Sequence, residues 1–255
     1  MPSPTWTPAA LASERRRLSG RCWRVVEAQH RVATMKLVDT LAEQSMLEEV
    51  VERAKPAVPP ACRHLHYLMS TPFRYGAPYP RGSRFRRAGA TPGVFYGSRS
   101  VATTIAEIAF HRLLFFADAP RLPWPANAGE FTAFAVEVRT RVALDLTAEP
   151  LVRQRAAWTH HTDYGPCQEL VEHAREASVE IIGYESVRDP VRGLNLAILA
   201  CRAFVSRAPL ERQTWRIAFG AAGVRAVCAS PDVGLEFDRE AFDADPRIAG
   251  LDWER

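Results

Sequence analysis

From Phe131 to Thr140 the chain alternates without a break: Thr132, Phe134, Val136 and Val138 face one way, Ala133, Ala135, Glu137 and Arg139 the other. Only an extended strand puts every second side chain on one face, so this segment commits the chain to a sheet. Apolar runs at Val94–Ser98, Val179–Tyr184, Leu194–Leu199, Trp215–Phe219 and Val224–Ala229 supply further strands. Two amphipathic helices lie among them. The first is capped by Ser98 or Ser100 and runs to about Phe116. Ala102, Ile105, Ala106, Ala109, Phe110 and Leu113 line one of its faces, and Glu107 lies well round from that stripe. The second, residues 166–177, starts at Pro166. Short strands spread among few helices predict an α+β fold with a mixed or largely antiparallel β core and flanking helices.

Residues 8–55 carry a different pattern and read as helical almost throughout. Thr7-Pro8 offers an N-cap and an N1 proline, and Ser45 with Glu48 forms a capping-box pattern. Leu37, Val38 and Leu41, then Met46, Leu47, Val50 and Val51, recur at helical spacing until Pro56 ends the run. A proline-rich connector, residues 56–62, follows. The expected organisation is a helical N-terminal extension over 1–60, with an apolar face open to a second chain, and one α+β domain over 61–255.

With 47% hydrophobic and 24% charged residues the chain is of ordinary globular composition, which disfavours a disordered one. No window of ~18 consecutive apolar residues exists, so no membrane span is expected. Five scattered cysteines, an odd number with no C-x-x-C, argue for reduced thiols and a cytoplasmic protein. Cys62, His64 and His66 alternate but lack a fourth ligand at structural spacing, and the adjacent His160 and His161 point to opposite sides of an extended chain. No metal is therefore expected. Dinucleotide-fold and phosphate-loop glycine motifs are absent, as is the serine-hydrolase elbow.

Charge is concentrated in one place. Residues 71–112 hold seven arginines (Arg74, Arg81, Arg84, Arg86, Arg87, Arg99 and Arg112) against a single acid, Glu107, although the net charge of the chain is only +4. A positive field around one carboxylate suits a phosphorylated ligand or an acidic partner. The segment runs from a basic loop through an aromatic strand to the helix bearing Glu107, and far downstream Ser186 stands at the end of a strand.

In these residues the chain resembles the RES-domain toxins, named for their Arg, Glu and Ser, and among them the ParT-like toxins of ParST-type toxin–antitoxin pairs. The family's arginine context is matched by Gly82-Ser83-Arg84-Phe85, its tyrosine by Tyr96, and its glutamate by Glu107 within TIAEIAFHR. Its serine segment is matched by Tyr184, Ser186 and Arg188, followed by Gly193, Asn195 and Leu196. The likeness covers roughly residues 70–205. One departure is Phe85-Arg86, where the family often has Trp-Asn, and Arg74 stands as a second candidate for the phosphate contact.

The resemblance implies an ADP-ribosyltransferase-like fold and consumption of NAD+ as co-substrate. Arg84 or Arg74 would grip the pyrophosphate through charge-assisted bonds, and Tyr96 would stack on the flat, cationic nicotinamide. Glu107 would stabilise the oxocarbenium centre formed when the nicotinamide–ribose bond breaks, with Ser186 orienting it and Asn195 near the site. A toxin transferring ADP-ribose to a protein acceptor is expected, phosphoribosyl-pyrophosphate synthetase being the first acceptor to test. An NAD+ phosphorylase or glycohydrolase is the nearest alternative, and a non-catalytic Arg-rich nucleic-acid or adaptor module the remote one. The expected partners are a cognate antitoxin covering the site and a second copy of the chain, with neither membrane nor direct nucleic-acid binding.

Overall fold

The computed structural model describes residues 6–28, 37–76, 80, 82–90 and 92–255. Its longest strand is the alternating one, β3 (Gly129–Asp145), and the other strands assemble along its two edges. One edge is taken by β1 (Arg16–Glu27), antiparallel over nearly the whole of its length. The other edge is shared. Residues Gly129–Ala135 pair with β6 (Glu211–Gly220), whereas Ala143–Asp145 pair in parallel with β4 (Ile181–Glu185). From β6 the sheet continues through β7 (Gly223–Ala229) to β8 (Asp232–Asp238). From β4 it continues through β5 (Leu194–Ile198) to β2 (Phe95–Ser98), which returns to β1 at Trp23 and Ser98 and closes a ring.

The alternation sorts β3 between two cores rather than between core and water. Phe134, Val136 and Val138 join Cys22, Phe95, Phe204 and Leu196 inside the ring side. Phe131, Ala133 and Ala135 join Trp215, Ile217 and Ala226 against α4 (Val101–Asp118), whose stripe Ile105, Ala106, Ala109, Phe110 and Leu113 is buried. A third core packs α6 (Gly165–Glu176) on Ile182, Tyr184 and Ala197. The short helix α5 (Arg155–Trp158) precedes it.

The helical reading of the N-terminal region is corrected over residues 16–27. Thr7 does cap α1 (Pro8–Ser13), but β1 follows at once. Its arginines hide a strand whose burial comes from β3, and such tertiary pairing overrides weak local preference. Residues 29–36 of the expected helix lie outside the described residues. Helix α2 (Leu41–Ala54) is capped by Thr40, with Glu43 completing the box instead of Ser45 and Glu48. Its Leu41, Met46 and Val50 are exposed, as the apolar pattern anticipates. Helix α3 (Tyr67–Arg74) and strand β8 went unread in the sequence. The expectation of uniformly reduced thiols is corrected at one pair: Cys62 and Cys201 are joined, while Cys22, Cys167 and Cys228 are free and buried. Among the described residues, no helix is long and apolar enough to cross a membrane and no cluster of His, Cys, Asp or Glu could hold a metal ion.

Ring closure at β1 and β2 demands a glycine. A Cβ on Gly97 would lie 2.5 Å from both Cys22 Sγ and the Trp23 carbonyl oxygen, well inside contact distance. Gly97→Ala should cost about 1–3 kcal/mol, the usual penalty of overpacking. In urea unfolding this would appear as a lower midpoint at unchanged slope; an unshifted midpoint would contradict the close approach.

Candidate functional site

Helix α4 begins two residues after β2, where Ser100 Oγ accepts from the Thr103 N–H at 3.1 Å and fixes the first turn. Nearly two turns on, Glu107 reaches the end of the β2–β5–β4 strands. The register there sets Ser98 beside Asn195 and Asn195 beside Tyr184. Glu107 Oε1 accepts from Ser186 Oγ at 2.7 Å and from Asn195 Nδ2 at 2.6 Å. Ser98 Oγ donates to Asn195 Oδ1, which orients the amide so that its NH2 group meets the carboxylate. Oε2 has no hydrogen-bond partner among the described residues. One oxygen is held and the other is offered.

The turn after β4 fixes Ser186 equally firmly. Its oxygen accepts from the N–H groups of Arg188 (3.2 Å) and Asp189 (3.1 Å), so its single proton is directed at Glu107. Asp189 in turn accepts from Thr103 Oγ1 at 2.8 Å and from the N–H groups of Val191 and Gly193. A Cβ on Gly193 would fall 2.2 Å from Thr103 Oγ1. Only glycine lets the turn approach α4 so closely.

Three guanidinium groups buttress the wall beside this cluster. Arg188 lies over the Phe110 ring, 3.8 Å from its centroid, and donates to His161 Nδ1, the His161 carbonyl and Asp245. Arg247 donates to both Asp245 oxygens, at 2.9 and 2.8 Å, and to the His161 carbonyl. Arg84 is 8% exposed; it donates to the carbonyls of Trp158 and His160 at 2.7 and 3.0 Å and faces the Tyr164 ring. Burial would raise the Asp245 carboxyl, but the Arg247 hydrogen bonds and the Arg188 charge outweigh it and hold it at about 2. Burial, with the charges of Glu107 and Tyr96, pushes the Tyr184 phenol well above its ordinary value. The loop 159–165 that these arginines hold separates two open concavities. One, of about 470 Å³, is lined by Arg87, Asp163, Tyr164 and Gln168; the other, of about 500 Å³, by Arg155, His160, His161 and Arg192. Glu107 lines neither.

Of the residues singled out in the sequence, the structure brings Glu107, Ser186 and Asn195 into one hydrogen-bonded cluster. Tyr96 and Arg84 form a second group. The Tyr96 hydroxyl accepts from the Phe85 N–H at 3.0 Å and meets Ser83 Oγ at 2.9 Å, so it fastens the turn that presents Arg84. Arg74 is not part of either. It stands at the end of α3, ion-paired with Glu52 of α2. Ser98, Asp189, Asp245 and Arg247 were missed. Ser98 was reachable, since it shares a strand face with Tyr96, and Asp189 adjoins the serine motif. Asp245 lies 57 residues from Arg188, and no local pattern announces it.

The model of the RES domain family matches residues 58–220. The chain belongs to the RES domain family. Among solved structures, the RES chain is similar to one in the crystal structure of the M. tuberculosis MbcT–MbcA toxin–antitoxin complex. The identity is 13% and the TM-score 0.45, over 79% of this chain and 90% of that one. No curated protein matches it in sequence. The matched segment contains the whole Glu107 cluster; β1, Asp245 and Arg247 lie outside it.

Ser186→Ala would leave Glu107 held by Asn195 alone and strand two buried N–H groups. The expected result is a loss of about 1–3 kcal/mol per unsatisfied group, read by chemical denaturation. Asp245 gives a pH signature. Its folded pKa lies below that of a free aspartate, ~3.9. Its contribution is therefore complete above ~pH 4 and disappears as pH falls through the folded value of about 2. Asp245→Asn should be less stable than wild type at pH 7, and the gap should close on acidification. A gap independent of pH would refute the ion-pair assignment.

Proposed function

We propose that this RES chain is the toxin of a toxin–antitoxin pair, acting in the cytoplasm, and that it cleaves NAD+ and transfers ADP-ribose to a protein acceptor. The observation that carries the reading is the half-held carboxylate: Oε1 of Glu107 is fixed by Ser186 and Asn195, and Oε2 is left open. When the bond from ribose C1′ to the nicotinamide nitrogen breaks, its electron pair leaves with nicotinamide and positive charge develops on the ribose. A carboxylate oxygen fixed beforehand and free to accept from a ribose hydroxyl stabilises that charge without reorganising first. A flexible glutamate would have to be ordered at the moment of reaction.

The remaining roles follow the chemistry of the ligand. Arg84 supplies positive charge for the pyrophosphate. Its Nε–H is not used by the Trp158 and His160 carbonyls. Tyr96, which holds the Arg84 turn by its hydroxyl, offers a ring for the cationic nicotinamide. Arg74, tied to Glu52, is the weaker candidate for a phosphate contact.

Glu107→Gln keeps the shape of the side chain and removes its charge. It should fold normally, lose roughly 10²–10³ in the rate of NAD+ cleavage, and no longer arrest growth when expressed without antitoxin. Full toxicity in that variant would refute the role of Glu107. The acceptor is tested by incubating the purified chain with tagged NAD+ and cell lysate. Transfer predicts one discrete labelled protein before total NAD+ falls. Rapid NAD+ loss, accelerated by phosphate and leaving no labelled protein, would make the enzyme a phosphorylase or glycohydrolase.

A further inference from the structure

His111 follows Glu107 by one turn of α4, so the two side chains lie on the same helix face. The residue is exposed, and neither of its ring nitrogens has a hydrogen-bond partner among the described residues; its ring neighbour is Phe110, centroid to centroid 5.5 Å. The polar groups around it are otherwise engaged. Ser186 and Asn195 are committed to Glu107 Oε1, and Arg188, Arg247, Asp245 and His161 to one another. An imidazole with open nitrogens therefore stands beside a carboxylate with an open oxygen.

The charged groups that face His111 are Glu107 from its own helix, Arg188 from the turn after β4, and Asp245 and Arg247 from the C-terminal segment. Desolvation by the protein packed around it, and then the charges of Arg188 and Arg247, hold the His111 pKa below its ordinary value, while Glu107 and Asp245 oppose the change. At neutral pH the ring is a neutral base with a free lone pair.

We infer that His111 is a catalytic residue, the general base that takes the proton from a protic acceptor, a hydroxyl or amine, as that acceptor bonds to ribose C1′. The inference rests on the reading of Glu107 given above and adds the second half of the reaction. The C1′–nitrogen bond breaks with its electron pair leaving on nicotinamide. A lone pair of the acceptor forms the new bond to C1′. The proton which that acceptor then sheds passes to the imidazole, and the imidazolium returns it to solvent. An anionic nucleophile such as azide has no proton to shed and needs no such base.

The test uses the full chain and measures NAD+ affinity, nicotinamide release and ADP-ribosyl product in wild type, Glu107→Gln, His111→Gln and His111→Ala. Both His111 variants should bind NAD+ within about twofold of wild type and form product from protic acceptors roughly 10²–10⁴-fold more slowly, the usual contribution of a positioned base. The acid limb of the wild-type pH–rate profile, set by an imidazole held below its ordinary pKa, should vanish in both. Azide should restore product formation in them, as the adduct, but not in Glu107→Gln. Unchanged rates with the acid limb intact, or slow turnover that azide does not lift, would overturn the role of His111 and leave that of Glu107 standing. A wild-type chain that does not cleave NAD+ would overturn both.

Discussion

Two half-sheets share one ribbon of backbone, and the arrangement of the site follows from that. Strand β3 keeps β1 along one edge while its other edge passes from β6 to β4. In the gap between those partners the backbone is satisfied by residues 204–210, through the Val138–Phe204 bridge and the N–H groups of Val205 and Leu210. Buried backbone groups must find partners, so the interruption is possible only because this stretch fills it. The sheet divides there. Helix α4 packs against the β6–β7 half, whereas Ser186 and Asn195 belong to the ring half. The bonds from Glu107 to Ser186 and Asn195 therefore join two separately packed cores.

What could be read from the sequence depended on whether the cause was local. The period-two pattern of β3, the Ser100-capped helix with its buried stripe and Pro166 at the start of α6 all arise from neighbouring residues, and all three elements form nearly where expected. β1 failed because its burial comes from a partner more than a hundred residues away; locally its arginines suit a helix surface as well as a strand. The same divide applies to the site. Glu107, Ser186 and Asn195 were legible because each lies in a recognisable run. Asp245 and Arg247 were not, because their significance comes from Arg188, His161 and Tyr164, which they meet only after folding.

The arginines illustrate how a concentrated charge can be divided between binding and building. In the sequence they read as one positive field. In the folded chain several are spent on carbonyl groups: Arg86 on Ala90 and Tyr75, Arg99 on Arg21 and Ser19, and two of the three nitrogens of Arg84 on Trp158 and His160. A planar guanidinium with five donors suits that work better than an ammonium group. This gives a physical reason for a chain with only two lysines to use arginine so freely.

The distance along the chain between Arg188 and Asp245 also sets an order of events during synthesis. A ribosome that has just translated the serine turn must add 57 more residues before the carboxylate that fastens Arg188 exists. At roughly 5–20 residues per second that is a delay of several seconds, and passage through the exit tunnel lengthens it. Until then the loop 159–165 lacks the Arg247 contacts and Arg188 lacks its counter-charge. The nascent chain can build β1, β3 and the ring long before the loop 159–165 is fully fastened.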